Sequence, residues 1–299
     1  MIVAVSDTHL GTEHLDSVDP DREAFKRFLR YLETDLQPTH LVLNGDIEDF
    51  WRRDMRTLTR ENYDVFGQLR DLQAAGTAVH YVLGNHDWYA RKDVAVHRRP
   101  DDDGAESDRY YDSGYPDRLT ISTHGTSYTF MHGHQFDPLQ DEWYFDKLAV
   151  ISTDSLGATF SEKWALFSEV DGPTGVVRAL AKLASDRMRL GTWESRLGKM
   201  DRCGDHDPDV SPRAAERYAA AHPDTDWLCI GHTHCAGIEA DANVANSGAW
   251  LDGRDTYLVL TDRPRLMAWN DGDPKRIAGE PGRSALGAAF RRLTALGDG

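Results

Sequence analysis

At 299 residues the chain can bury a large core, as one big domain or two modest ones. No apolar run approaches the roughly 20 residues that a membrane-spanning helix needs. The formal charge of −16, with 37 Asp and 13 Glu against 27 Arg and only 7 Lys, argues against non-specific duplex DNA binding, which needs cations against phosphates.

The first apolar run, Ile2-Val3-Ala4-Val5, stops at Asp7-Thr8-His9. Asp19-Pro20 then reads as a helix N-cap and first-turn proline, and Phe25, Phe28, Leu29 and Leu32 share one helical face, which predicts a helix over 20–35. Pro38 ends it. The next strand, Leu41-Val42-Leu43, runs into Asn44-Gly45-Asp46-Ile47-Glu48-Asp49, three acids within four positions. A buried strand that ends in glycine and carboxylates builds core poorly, but it aims oxygen ligands out of the carboxyl end of a sheet. A second helix is expected over about 60–75, with Tyr63, Phe66, Leu69 and Leu72 inward and a stop at Gly76. The strand His80–Leu83 follows and delivers Gly84-Asn85-His86-Asp87. This β-α-β-α-β order implies a parallel sheet with polar groups gathered at its carboxyl edge.

Residues 98–118 are polar and turn-rich. Leu119–Thr123 and Tyr128–Met131, separated by His124-Gly125-Thr126-Ser127, read as a hairpin leading into His132-Gly133-His134. From about 139 to 220 the strand signal vanishes, and a mostly helical cap insertion is expected. The strand pattern returns at Trp227–Ile230, ahead of Gly231-His232-Thr233-His234. It passes Asn246-Ser247-Gly248-Ala249-Trp250 and closes in a hairpin, Thr256–Thr261 with Arg265–Trp269. The expected domains are therefore a core of 1–138 plus 226–272, a cap of 139–225, and a tail of 273–299 with a short amphipathic helix from Ser284. The cysteines, Cys203, Cys229 and Cys235, form no CxxC pair, so no disulfide framework is expected and Cys235 reads as a small buried thiol. With no charged-then-apolar signal pattern at the start, the expected location is cytoplasmic. The Asp-rich, Lys-poor composition resembles a halophilic-type acidic surface.

Singly, an Asp-x-His or a His-x-His is more often a turn than a metal site. Five short apolar runs that each deliver Asp, Asn or His just past their ends are hard to explain by packing. Mixed carboxylate, amide and imidazole ligands suit two divalent ions, with Mn²⁺ expected and Fe²⁺ or Zn²⁺ as alternatives. Two such ions about 4 Å apart can hold a bridging hydroxide and clamp an in-line phosphoryl displacement.

Asp7-x-His9, Gly45-Asp46-x-x-Asp49, Gly84-Asn85-His86-Asp87, His132 and Gly231-His232-x-His234, in that order, resemble the calcineurin-like metallophosphoesterases. The resemblance implies an α/β (α+β) fold, a layered β-sandwich flanked by helices. It further implies that Asp7, His9 and His234 would bind one ion, that Asn85, His132 and His232 would bind the other, and that Asp46 would bridge them. His86, held by Asp49, would donate a proton to the leaving group, whereas His134 would have a bland role, because the first His of such a His-Gly block is the usual ligand. The Asp46-Ile47-Glu48-Asp49-Phe50-Trp51 stretch and the long insertion look most like the branch containing the UDP-2,3-diacylglucosamine hydrolases, which cleave a pyrophosphate under a helical cap. That branch's best-known members carry Arg where this chain has His86. Arg52, Arg56 and Arg60, four residues apart, and Arg91 are candidates to grip substrate phosphate.

The expected activity is hydrolysis of a phosphodiester or pyrophosphate in a small or lipid-linked substrate, with peripheral membrane contact open. A phosphomonoesterase or phosphoprotein phosphatase would use the same centre, although Phe50-Trp51 stands where that group shows Arg-Gly. A nuclease would want a basic groove, and a metal-binding scaffold would not need His86.

Overall fold

The computed structural model describes residues 1–11, 22–50, 58, 60–87, 90, 111–112, 116–136, 218, 222, 225–251, 253–270 and 272–277. The expected cap of 139–225, apart from isolated residues, and the tail helix from Ser284 lie outside them, as do Asp19 and Pro20.

Two sheets form the frame. The first runs β11-β10-β9-β1-β2-β3, built from β1 (Ile2–Val5), β2 (His40–Asn44), β3 (Ala78–Val82), β9 (Thr256–Leu260), β10 (Pro264–Ala268) and β11 (Lys275–Arg276). The second runs β4-β5-β6-β8-β7, from β4 (Leu119–Thr123), β5 (Thr126–Phe130), β6 (Trp227–Ile230), β7 (Gly237–Glu239) and β8 (Val244–Asn246). The expected parallel β1-β2-β3 core is present, with Val3 opposite Leu41 and Leu41 opposite Val79. Beyond β1 the sheet turns antiparallel through β9.

Every residue of β1 is buried, because it is covered on both faces. Strand alternation divides those faces. Val3 and Val5 join Leu41, Leu43, Phe25, Phe28 and Phe66 in the larger core, whereas Ile2 and Ala4 join Val42, Leu258, Tyr128, Phe130 and Cys229 in a second one. The first sheet therefore lies between helices on one side and the second sheet on the other, a sandwich flanked by helices.

Helix α1 (Arg22–Tyr31) buries Phe25, Phe28 and Leu29, with Phe28 4.8 Å from Trp250 and 4.7 Å from Tyr257, ring centre to ring centre. A wide turn to Leu36 ends it, closed by Gln37 N–H on Leu32 O at 2.8 Å with Gln37 at φ 47 ahead of Pro38. Helix α2 (Tyr63–Ala74) buries Val65, Phe66, Leu69 and Leu72. Tyr63 does not join them: it is 50% exposed, its ring 5.1 Å from the Arg70 guanidinium. A three-residue spacing falls behind the helical period by roughly 60° per step, so after three steps Tyr63 and Leu72 face opposite ways. Val65, four residues before Leu69, occupies the inward position instead.

The β4–β5 turn is two residues, not four. His124 and Gly125 take φ 51 and 79, the mirror-image turn that matches strand twist, so Thr126 and Ser127 belong to β5. The side-chain amide of Asn44, at the end of β2, donates to Met131 O (3.1 Å) and Cys229 O (3.2 Å), tying the two sheets together where their ligand-bearing loops begin.

Candidate metal centre

Past β1 and β2 the pairing continues from loop to loop. Asp7 N–H bonds Gly45 O (3.0 Å), His9 N–H bonds Asp46 O (3.0 Å), and Asp49 N–H bonds Leu10 O (3.1 Å). Turning so tightly puts residues in the left-handed region. Among the described residues eight non-glycine positions have positive φ, and five of them are Asp7, His9, Asp46, His232 and His234. Such positions cost roughly 1–3 kcal/mol each and cluster where function over-determines the backbone.

The two central carboxylates are used alike. Asp7 Oδ2 accepts His232 N–H (3.0 Å), and Asp46 Oδ1 accepts His86 N–H (2.8 Å). Their other oxygens face imidazoles. Asp7 Oδ1 lies 3.3 Å from His234 Nε2, 3.8 Å from His132 Nε2 and 3.9 Å from His9 Nε2, and Asp46 Oδ2 lies 3.0 Å from His132 Nε2. Asn44 O, 2.9 Å from His132 Nδ1, accepts its proton and leaves Nε2 as the inward nitrogen. Asp7 Oδ1 and His132 Nε2 are buried without a hydrogen-bond partner, although such groups are nearly always satisfied. Three ligand groups fall within reach of one another: Asp7 with His9 and His234, Asp46 with His132 and His232, and His9 with Asp46 and His86. Orphaned, convergent oxygen and imidazole donors fit divalent cations.

Without a cation, the cluster shares protons. Burial pushes the Asp7 and Asp46 carboxyls up, but the surrounding imidazoles together outweigh it, His132 with His234 at Asp7 and His132 with His86 and His9 at Asp46, and both stay below the usual carboxylate range. Burial likewise opposes charge on His132, yet Asp46 and Asp7 override it and push His132 up to about 10. His9 is held below its ordinary value by burial.

Asn85 and His86 sit in the turn after β3, Asn85 buried and His86 half-buried. His86 Nδ1 is 3.1 Å from Asp49 Oδ2, and the rings of His86 and His9 meet edge to face at 4.7 Å. Burial works against ionised Asp49, but His86 and His9 hold it well below the usual range. Two glycines let backbone press directly on this cluster. A Cβ on Gly84 would stand 2.5 Å from Asp46 N and nearer still to Asp46 Oδ1, and one on Gly231 would stand 2.5 Å from Asp7 Oδ2.

The Asn246–Trp250 stretch braces the centre from behind. Asn246 Nδ2 donates to Gly231 O (3.1 Å) and Thr233 Oγ1 (2.8 Å), Ser247 Oγ is 2.7 Å from Ser6 Oγ, and Trp250 N–H bonds Asp7 O (3.1 Å).

Six of the residues expected to bind metal, Asp7, His9, Asp46, His132, His232 and His234, thus gather with His86 and Asp49 at one edge of the sandwich, and Asn85 sits beside His86 in the turn after β3. Arg60 is exposed just ahead of α2. Arg52, Arg56 and Arg91 lie outside the described residues. His134 is half-buried, its ring 5.6 Å from His132 and 6.3 Å from His232. Cys235, read as a small buried thiol, is instead disulfide-bonded and half-buried, while Cys229 is free and buried. Asp87, to which the motif assigns no role, also belongs to the site. Its signal is the single acid directly after the Asn-His pair, and its carboxylate is fully buried against both loops.

Residues 1–236 match the family described as calcineurin-like phosphoesterase. A UDP-2,3-diacylglucosamine hydrolase from Porphyromonas gingivalis is 24% identical over 265 residues, covering 84% of this chain and 90% of that protein. Among solved structures, Yfce, a phosphoesterase from E. coli, is 14% identical over 93% of this chain and 96% of its own, with a TM-score of 0.39. A dimetal phosphatase from Danio rerio is 11% identical over 94% and 96%, also with a TM-score of 0.39. At these scores the structural likeness is slight.

Proposed function

The chain belongs to the calcineurin-like phosphoesterase family, the metal-dependent phosphoester hydrolases, and from that premise we propose that it cleaves a phosphodiester or pyrophosphate bond at a two-ion centre. The observation that carries this reading is the convergence of Asp7, His9, His132, His232 and His234 around the shared carboxylate Asp46, with inward-facing donor atoms left unbonded at Asp7 and His132. Asp7, His9 and His234 would hold one ion, Asn85, His132 and His232 would hold the other, and both would share Asp46. When bound, such ions supply Lewis-acid charge to phosphoryl oxygens and make water a better nucleophile; Mn²⁺ is the proposed pair.

The chain's own contribution is proton handling and orientation. Ionised Asp49 faces His86 Nδ1 at 3.1 Å and fixes the ring, leaving Nε2 to deliver a proton to the departing oxygen. Three rings and two carboxylates with hardly any exposure keep bulk water out and raise the worth of every charge in the site. A relative named for a UDP-diacylglucosamine supports a nucleotide- or lipid-linked diphosphate as the substrate class, with Arg52, Arg56, Arg60 and Arg91 as the candidate grips on its phosphates. Among the described residues no helix is long and apolar enough to cross a membrane.

The test is turnover of a phosphodiester, a pyrophosphate and a phosphomonoester reporter by Mn²⁺-loaded protein, at low and high salt. Diester or pyrophosphate cleavage abolished by Asp46→Asn supports the reading, and a preference for the monoester overturns it in favour of a phosphatase.

A further inference from the structure

Asp87 lies outside every role assigned so far, yet its carboxylate is fully buried and accepts three bonds. Gly84 N–H reaches Oδ1 at 2.6 Å, while Ile47 N–H and the Tyr81 hydroxyl reach Oδ2, both at 2.8 Å. All three partners are donors, so the position calls for a group that only accepts. The partners also come from different places. Ile47 follows Asp46 in the β2 loop, Gly84 precedes Asn85 in the β3 loop, and Tyr81 stands in β3 itself.

Asp46 makes the reverse link, since its Oδ1 accepts His86 N–H from the β3 loop at 2.8 Å. Each loop therefore gives a carboxylate to the other loop's backbone, and Gly84, with no room for a Cβ against Asp46, lets them close on each other. One oxygen of Asp46 is committed to that exchange, which aims the other at His132, 3.0 Å away.

We infer that Asp87 is the positioning residue that sets Asp46 against Asn85 and His86, by fastening the β2 and β3 loops together through a reciprocal exchange of carboxylates. This rests on the proposed two-ion centre. It acts through Asp46 and Asn85 rather than on the substrate. In Asp87→Asn the amide would present N–H to at least one of three donors, releasing one loop. Removing a group that orients a metal ligand typically costs about 10- to 100-fold in metal affinity or activity.

The experiment compares wild type, Asp87→Asn, Tyr81→Phe and Asp46→Asn as full-length protein. It measures Mn²⁺ affinity, the visible spectrum of the Co²⁺ form, and kcat and KM separately. The expected result is that Asp87→Asn binds Mn²⁺ about 10- to 100-fold more weakly, with an altered Co²⁺ spectrum and a lower kcat at unchanged KM. Tyr81→Phe, which keeps both backbone donors, should shift the same readouts in the same direction but less. A folded Asp87→Asn with wild-type affinity, spectrum and kcat overturns the inference, even if its thermal stability falls. If that variant does not fold, an unchanged affinity and spectrum in Tyr81→Phe overturns it. Failure of the wild type itself to bind Mn²⁺ or Co²⁺ overturns the two-ion centre, and this inference with it. Asp46→Asn separates these cases: it should lose metal whatever Asp87 does.

Discussion

One carboxylate oxygen, Asp49 Oδ2, stands 3.1 Å from His86 Nδ1 and 3.5 Å from His9 Nδ1. The proposed proton donor and a proposed metal ligand are thus steadied by the same atom, and substitutions should separate their contributions. His86→Gln is expected to lower kcat by about 10²- to 10⁴-fold while metal content stays at the wild-type level. Asp49→Asn should lower kcat and weaken metal binding together. Parallel measurement of turnover and bound Mn²⁺ decides, and a His86→Gln protein that loses its metal would make His86 a ligand instead.

Protons should leave when metal arrives. In the metal-free chain His132 is raised to about 10 by Asp46 and Asp7, against burial, so near pH 8 it still carries a proton that a cation must displace. Apparent metal affinity should therefore rise with pH, and binding should release on the order of one proton. Calorimetry in buffers of differing ionisation heat counts that proton. The same sign applies to the metal-free fold: a histidine raised above 6.5 contributes stability that is complete below 6.5 and is lost as pH climbs through about 10. No release at pH 8 would mean that the imidazole is already neutral.

Gly84→Ala should destabilise by about 1–3 kcal/mol and weaken metal binding, because the new methyl collides with the Asp46 backbone nitrogen, which has nowhere to go. Gly67, inside α2 with open space around it, provides the contrast. Gly67→Ala should stabilise by about 0.5–1 kcal/mol and leave metal affinity alone. Denaturant melts of both variants, with and without Mn²⁺, make the comparison; equal and opposite effects confined to stability would detach Gly84 from the centre.

At the other end of the strands, His40 Nδ1 lies 3.1 Å from His80 Nε2, with the rings stacked at 5.3 Å. Burial, then the N-terminal charge for His40 and His40 itself for His80, holds both below 6.5, with Asp112 partly offsetting. For lowered histidines the unfolded chain binds more protons, so their stability is present above 6.5 and is lost as pH falls. The unfolding midpoint should drop between pH 7 and 5, and less steeply in His80→Gln. An identical slope in the variant would place the acid sensitivity elsewhere.

Much of the centre was legible because each candidate ligand directly follows an apolar run, and strand ends are where a parallel sheet delivers side chains. Asp7, Asp46 and His132 needed no more than that. The braces were not legible. Asn44 joins two sheets by bonding carbonyls 87 and 185 residues away, and Asp87 looks in sequence like one more acid in an acidic chain. The left-handed backbone at Asp7, His9, Asp46, His232 and His234 was equally hidden, since it is uncommon even for Asp and His, the types that tolerate it better than most. Tyr63 departs from its expected inward place because a strict three-residue rhythm drifts around the helix. β7 and β8, three residues each, are too short to leave a periodic trace.

The contact between Ser6 and Ser247 spans 241 residues, and β1 has β9 as its second neighbour in the sheet. Strand β1 is therefore made long before its second neighbour and until then has one flank unfilled. A nascent chain can assemble β1, β2 and β3 with Asp7, Asp46 and Asn85 in place, yet it presents an open edge of Ile2, Val3 and Ala4 until residues 256–260 have left the ribosome. Such an edge invites pairing with other chains. Contacts this distant also make closure slow, so this fold has a built-in interval in which protection by a chaperone would matter most.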